Sequence, residues 1–252
     1  MTSIVTTRQI KIGEGIPKIC VPLTGKTKDE ILESALSIKT VNHDLAEWRV
    51  DCYEDVNHIS SVIETLSKLR EILGDTPLLF TFRTKAEGGE QELSKEDYLS
   101  LNLDAINTGF IDLVDVELFT GDDFVKKVIE FAHAKNVKVI VSNHYFERTP
   151  AKKELLSRLQ RMQNLGADIP KLAVMPLDKA DVITLLSATE EMVTNYADRP
   201  IVTMSMDKIG VLSRICGEFF GSAITFGSVC GASAPGQIPA EELFDLLNQM
   251  HK

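Results

Sequence analysis

Asp168-Ile169-Pro170-Lys171-Leu172-Ala173-Val174-Met175-Pro176 is a short apolar run fenced by prolines, with one lysine inside it. Strands buried on both faces read as near-continuous apolar runs, and proline is tolerated at a strand's first residue or just past its end. The run therefore predicts a parallel-sheet strand centred on Leu172–Met175. Alternation puts Lys171, Ala173 and Met175 on one face and Leu172 and Val174 on the other. An amine held among small and apolar groups loses the hydration that favours its charged form, so a nucleophilic fraction near neutral pH is expected. A lysine at a frayed strand start, with its ammonium reaching water, is the commoner arrangement, and this stretch alone does not choose between the two.

Working outward, the same kind of run recurs at Ile19–Leu23, Leu45–Val50, Leu78–Phe82, Ile111–Glu117, Val137–Ser142, Ile201–Met204 and Ala223–Phe226. Helix-period segments alternate with them, near Lys28–Val41, Val56–Leu73, Lys95–Thr108, Asp122–Ala134, Ala151–Leu165, Lys179–Tyr196, Ile209–Phe220 and Glu241–Met250. Thr27 before Asp29-Glu30 and Ser94 before Glu96-Asp97 supply capping groups and first-turn acids, and Gly74, Gly109 and Gly166 sit where helices should stop. Eight βα units of roughly thirty residues are the count for a TIM (β/α)8 barrel. A doubly wound sheet is the runner-up, but no G-x-G-x-x-G follows the first strand and no P-loop is present. Ile4 to Ile12 alternates ahead of Gly13-Glu14-Gly15, so residues 1–17 are expected to form a β-hairpin cap on one domain spanning 1–252.

Composition narrows the function. The 252 residues are 44% hydrophobic, with no linker-like stretch, and carry a formal net charge of -10. That balance argues against nucleic acid or an anionic membrane as the main partner, while leaving room for an acidic small molecule in a locally positive pocket. Cys20, Cys52, Cys216 and Cys230 show no C-x-x-C pair, so neither a zinc site nor a disulfide framework is expected. No signal-peptide core and no run of membrane-spanning length is present, which predicts a cytoplasmic, soluble protein.

Barrel chemistry gathers at the carboxyl ends of strands. Those ends carry Glu47-Trp48-Arg49-Val50-Asp51, Thr81-Phe82-Arg83, Asp115-Val116-Glu117, Ser142-Asn143-His144 and Met204-Ser205-Met206. Parity groups Glu47, Arg49 and Asp51, then Thr81 and Arg83, then Ser142 and His144, and turns Trp48, Val50, Phe80 and Phe82 outward. Buried ion pairs among Glu47, Arg49 and Arg83 are the structural alternative. His144 ends the strand before that of Lys171, so both can face one bound molecule. Arg214, on a helix after the seventh strand, suits either a substrate carboxylate or a surface ion pair. The loop from Gly227 to Pro239 can close over a ligand with Ser233 and Gln237, or be a plain connector. In the loop Lys85–Glu90, Glu87 is the best candidate to orient a histidine.

The runs Glu47–Asp51, Phe80–Arg83 with Glu87-Gly88-Gly89-Glu90, Ser142–His144, Ile169–Pro176 and Ser233–Gln237 resemble the type I 3-dehydroquinate dehydratases, in order and spacing from about Lys18 to Gln237. The resemblance implies a homodimeric TIM barrel of the shikimate pathway that needs no metal or organic cofactor and turns 3-dehydroquinate into 3-dehydroshikimate through a Schiff base, by syn elimination. It implies that Lys171 forms the imine, His144 shuttles protons, and Glu87 sits beside that histidine. Substrate-binding roles fall on Glu47, Trp48, Arg49, Arg83, Met204, Met206, Arg214, Phe226, Ser233 and Gln237, with Arg214 taking the carboxylate. One departure is Pro22, where the family often has a serine. Two other functions stay open: a class I aldolase acting on a ketoacid, separated by aldehyde release, and a silent barrel that binds a polyhydroxy acid without forming an imine.

Overall fold

The protein is described from a computed structural model that covers residues 3–229, 231 and 233–251. Its core is a nine-stranded parallel sheet that curls into a TIM-like barrel with helices outside it. The staves are β3 (Lys18–Leu23), β4 (Leu45–Arg49), β5 (Leu78–Thr81), β6 (Leu113–Glu117), β7 (Lys138–Tyr145), β8 (Ile169–Val174), β9 (Val202–Ser205) and β10 (Ile224–Ser228); from β3 to β9 each is paired in parallel with the next, and β10 is paired with β3. The seam between β9 and β10 is bridged at Ile201–Ser222, where Ala223 N–H donates to the Ile201 carbonyl at 2.8 Å. A two-residue strand, β11 (Ile238–Pro239), lies parallel to β10. Ahead of the barrel, β1 (Val5–Thr7) and β2 (Ile10–Ile12) form the expected antiparallel hairpin.

Between the staves run α1 (Lys28–Ser37), α2 (Ile59–Leu73), α3 (Lys95–Asn107), α4 (Asp122–Ala134), α5 (Lys152–Leu165), α6 (Lys179–Asn195) and, after short turns α7 (Leu212–Ile215) and α8 (Gly217–Phe220), α9 (Ala240–Met250). Thr27 starts α1 with a full capping box, its side chain accepting from Glu30 N–H while Glu30 accepts from the Thr27 backbone. The segment expected as one helix over Ile209–Phe220 is instead α7 and α8, broken at Cys216, which departs from helical geometry at φ -95°, ψ 14°. Gly210 and Gly217 weaken helix there, and a Cβ at either would press on backbone.

Strand parity builds the interior in layers. The bottom layer is apolar: Cys20, Leu45, Leu79, Leu113, Ile140, Ile169, Val202 and Ile224 belong to one buried cluster, joined by Val5 and Ile12 of the hairpin. The layer above is polar, with Glu47, Thr81, Asp115, Ser142 and Lys171. Outward-facing Val21, Ala46, Trp48, Phe80, Phe82, Val114, Val116, Val139, Val141, Leu172 and Val174 form the larger cluster under the helices. At roughly 1.5–3 kcal/mol per fully buried large apolar side chain, this outer layer supplies most of the driving force.

β8 begins at Ile169, earlier than the expected Leu172, so Pro170 lies inside the strand opposite Val141. Lys171 is therefore its third residue, paired with Ser142 and Val202, and is 4% exposed rather than frayed. β4 stops at Arg49, and the chain turns through a 3-10 segment at Val50–Cys52. Asp51 is thereby folded back under Arg49 instead of continuing the inward face.

Candidate active site

Glu47, Arg49, Arg83, Glu87, His144, Lys171, Met204, Met206, Phe226, Ser233 and Gln237 surround one cavity at the carboxyl end of the barrel. Gly88, Phe146, Ala173 and Ala234 complete its lining. A larger outer groove between α4 and α5 is lined by Lys126, Lys152 and Arg161, but Arg161 pairs with Asp122 and Lys152 with Glu191. It lies on the helical ring, away from the strand ends.

The Lys171 amine is not among small apolar groups as expected. Its Nζ is 3.3 Å from Asp115 Oδ2, 4.0 Å from Glu47 Oε1 and 4.6 Å from the centre of the Phe226 ring. Ala173, one step above on the same face, leaves room for it to rise into the cavity. Glu47 is held by Thr81, whose Oγ1 donates to Oε1 at 2.9 Å. Burial alone would raise the Asp115 carboxyl; Arg83 and Lys171, with a hydrogen bond from Ser142, hold it below the usual carboxylate range. Asp115 and Ser142 are missed by the resemblance-based assignment. The signal lay in β6 itself, whose inward set Leu113, Asp115 and Glu117 changes from apolar to acidic toward the strand end.

Arg83 is the hub of the upper layer. Its Nη2 donates to Asp115 Oδ1 at 2.8 Å and its Nη1 to Glu117 Oε1 at 2.9 Å and Ser142 Oγ at 3.0 Å, with Glu87 Oε2 at 3.8 Å. Burial works against its charge, but Asp115, Glu117 and Glu87 outweigh it and push the guanidinium well above its ordinary value. Arg49 is gripped in bidentate fashion by Asp51, both contacts at 2.8 Å. Asp51 also accepts from the backbone N–H of Arg83 and Glu90, both at 3.2 Å, which ties the Glu87-bearing loop to β4. Gly88 at φ 85° lets that loop turn over the mouth, where any Cβ would strike the Phe146 ring at 2.4 Å.

Glu87 does lie beside His144. Its Oε2 is 3.0 Å from His144 Nδ1 and accepts the His144 backbone N–H at 2.8 Å; its Oε1 accepts from Asn143 Nδ2 at 3.0 Å. Burial, followed by the charge of Glu117, raises the Glu87 carboxyl to about 7. Burial, then Arg83, Lys171 and Arg49, hold the His144 imidazole well below its ordinary value. The contact is thus a hydrogen bond of a neutral imidazole. With Nδ1–H donating to a carboxylate, Nε2 keeps its lone pair.

Two expected residues stand apart. Trp48 is not in the cavity lining; it is fully buried in the outer layer, edge-on to Phe80 at 5.8 Å between ring centres, as parity requires. Arg214 is not a surface residue: it is 1% exposed, behind Met204 and the loop that follows β10. Its Nη2 donates to the Pro235 carbonyl at 2.8 Å, its Nε has no partner among the described residues, and burial lowers it to about 10. Unlike Arg49 and Arg83 it faces no carboxylate among the described residues. The loop is held in place: Ser233 N–H donates to Gln237 Oε1 at 2.8 Å, Gln237 Nε2 to Ser233 Oγ at 2.9 Å, and Asp207 N–H to the Pro235 carbonyl at 3.1 Å. Cys230 and Ala232 of that loop lie outside the described residues. Cys20, Cys52 and Cys216 are free thiols. Pro22 is buried in β3 opposite Glu47 and does not line the cavity.

The sequence profile of the type I 3-dehydroquinases matches residues 19–252. The 3-dehydroquinate dehydratase of Clostridioides difficile (strain 630) is 55% identical over 248 residues, covering 98% of this chain and 97% of that protein. That of Salmonella agona (strain SL483) is 54% identical, covering 98% of each. Among solved structures, the type I enzyme from Clostridium difficile, with covalently modified comenic acid, superposes at a TM-score of 0.98, covering 100% of this chain and 99% of that one. The Enterococcus faecalis 3-dehydroquinate dehydratase is 43% identical with a TM-score of 0.93, covering 98% of this chain and 100% of that one. The chain belongs to the type I 3-dehydroquinase family, hydro-lyases of the shikimate pathway.

Proposed function

We propose that this chain dehydrates 3-dehydroquinate to 3-dehydroshikimate by syn elimination through a Schiff base on Lys171, with His144 as the proton shuttle. The observation that carries this reading is the meeting of a buried amine and a neutral, carboxylate-braced imidazole in one cavity. A free Lys171 amine adds to the C3 ketone and, taking up one proton as water is lost, becomes an iminium that withdraws electrons from C2. His144 Nε2 removes the C2 proton, leaving an enamine. The enamine then expels the C1 hydroxyl, which departs as water on taking that proton back. Hydrolysis of the remaining iminium releases product and restores the amine. One imidazole serves both transfers only if proton and hydroxyl leave from one face.

Glu47, Arg49 and Arg83 would hold the ring hydroxyls, Met204, Met206 and Phe226 would wall the ring, and Ser233 and Gln237 would close over it. Arg214, a buried guanidinium with no carboxylate partner among the described residues, would take the substrate carboxylate past Met204 once the Pro235 carbonyl releases it. The reading includes a cytoplasmic homodimer working without metal or organic cofactor. Among the described residues no helix is long and apolar enough to cross a membrane.

Borohydride reduction in the presence of 3-dehydroquinate tests it. The expected result is a covalent adduct on Lys171 by mass spectrometry, alongside enone absorbance from untreated turnover. Dehydration with no adduct, or an adduct on Lys179, would remove the Schiff-base assignment.

A further inference from the structure

A line of polar side chains runs from His144 out to the helical ring. Glu87 bonds His144 through Oε2, and its Oε1 accepts from Asn143 Nδ2 at 3.0 Å. Asn143 Oδ1 in turn accepts from Arg158 Nη1 at 2.5 Å. Arg158 comes from α5, does not line the cavity that holds Lys171, and is itself firmly held. Its guanidinium carbon lies 5.1 Å from the Tyr145 ring centre and 5.3 Å from that of Phe119, and its Nη2 pairs with Glu154 one turn earlier on the same helix.

An asparagine amide has one accepting end and one donating end. A guanidinium only donates, so with Oδ1 turned to Arg158 the Nδ2 end must face Glu87. The flipped amide would set a carbonyl oxygen against the carboxylate, an arrangement that only a protonated Glu87 could bond. The groups facing Glu87 are Arg83 after β5, Glu117 from β6, and Asn143 and His144 from β7; Asn143 is the one whose sense depends on a residue outside the barrel.

From this relay we propose that Arg158 is a positioning residue for the dehydration. It fixes the Asn143 amide as a donor to Glu87, which keeps Glu87 an acceptor and His144 in the tautomer whose Nε2 is free to take a proton. The inference rests on the His144–Glu87 reading given above.

The test uses the full-length protein with 3-dehydroquinate and follows kcat, KM, the pH profile of kcat and borohydride trapping. Arg158→Ala should lower kcat about tenfold, a fraction of the roughly 10²–10⁴-fold carried by an acid-base group. KM and the Lys171 adduct should be retained. The acid limb of kcat should move up in pH, because Glu87 holds its proton longer without the Asn143 donor. Arg158→Lys, which can still donate to Oδ1, should recover most of kcat, and Arg158→Ala should have no further effect in a Glu87→Gln background. An unmoved kcat and acid limb, or an equal loss in the Glu87→Gln background, overturns the proposal. Should Arg158→Ala not fold, Asn143→Ala must reproduce the limb shift, and a parent-like limb there overturns it as well. A parent protein that neither turns over nor traps 3-dehydroquinate would instead sink the reading of the site, and this inference with it.

Discussion

Asp115 is the residue on which the polar layer turns. It is fully buried and shared by Arg83, Ser142 and Lys171; Arg83 also has Glu117 at 2.9 Å, whereas the other carboxylate near Lys171, Glu47, stands at 4.0 Å. Removing one member of a buried charge set leaves the others uncompensated. Asp115→Asn should therefore cost about 3–5 kcal/mol in urea unfolding, far more than an isosteric swap at the surface; a loss within about 0.5 kcal/mol would show the layer to be solvated. The His144–Glu87 pair makes a pH prediction. Glu87 is raised to about 7, so it is protonated below that value and ionised above it. A protonated carboxyl turns its O–H toward Nδ1 and moves the imidazole proton to Nε2, the wrong end for a base. The kcat/KM profile should accordingly fall as pH drops through about 7, while imidazolium formation contributes only further down. Glu87→Gln should lower the plateau and abolish the limb in that range; a limb left in place would assign it to another group.

At the scale of elements, strand parity and loop anchoring divide the work. Alternation along β4, β6, β7 and β8 tells which side chains enter the barrel, and it was legible in the sequence: Glu47, Arg49, His144 and Lys171 all face the cavity, and Trp48 faces the helices. Parity was a better guide to Trp48 than resemblance was. What alternation could not tell was where each strand ends. β4 stops two residues before Asp51, and β8 starts before its proline, because those boundaries depend on which neighbour offers backbone partners. The loop after β10 is held by tertiary contacts with Asp207 and Arg214. Gly236 sits there at φ 77°, with an added Cβ only 2.3 Å from the Asp207 carbonyl oxygen. Gly236→Ala should displace Ser233 and Gln237 and raise KM for 3-dehydroquinate while the Lys171 adduct still forms. An unchanged KM would mean that the loop does not touch substrate.

Across the whole molecule the two ends of the barrel have different tasks. The hairpin seals the amino-terminal end, where Ile12 is fully buried in the inner apolar cluster and Arg8 pairs with Asp112 at 2.7 Å. Ile12→Ala should cost about 2–5 kcal/mol in unfolding free energy and leave kcat alone, since it lies at the end away from the chemistry. A fall in kcat of tenfold or more (about 1.4 kcal/mol) would show that the ends are coupled. The sequence by itself determined the βα rhythm, the inward and outward sets and the presence of Lys171, His144 and Glu87, because hydrophobic period and residue type are local properties. Only the tertiary structure decided that Asp115 meets Lys171, that Arg214 is buried, and that Arg158 reaches Glu87 through Asn143. Those contacts join residues far apart in the chain, and closure of the barrel is what brings them within a few ångströms of each other.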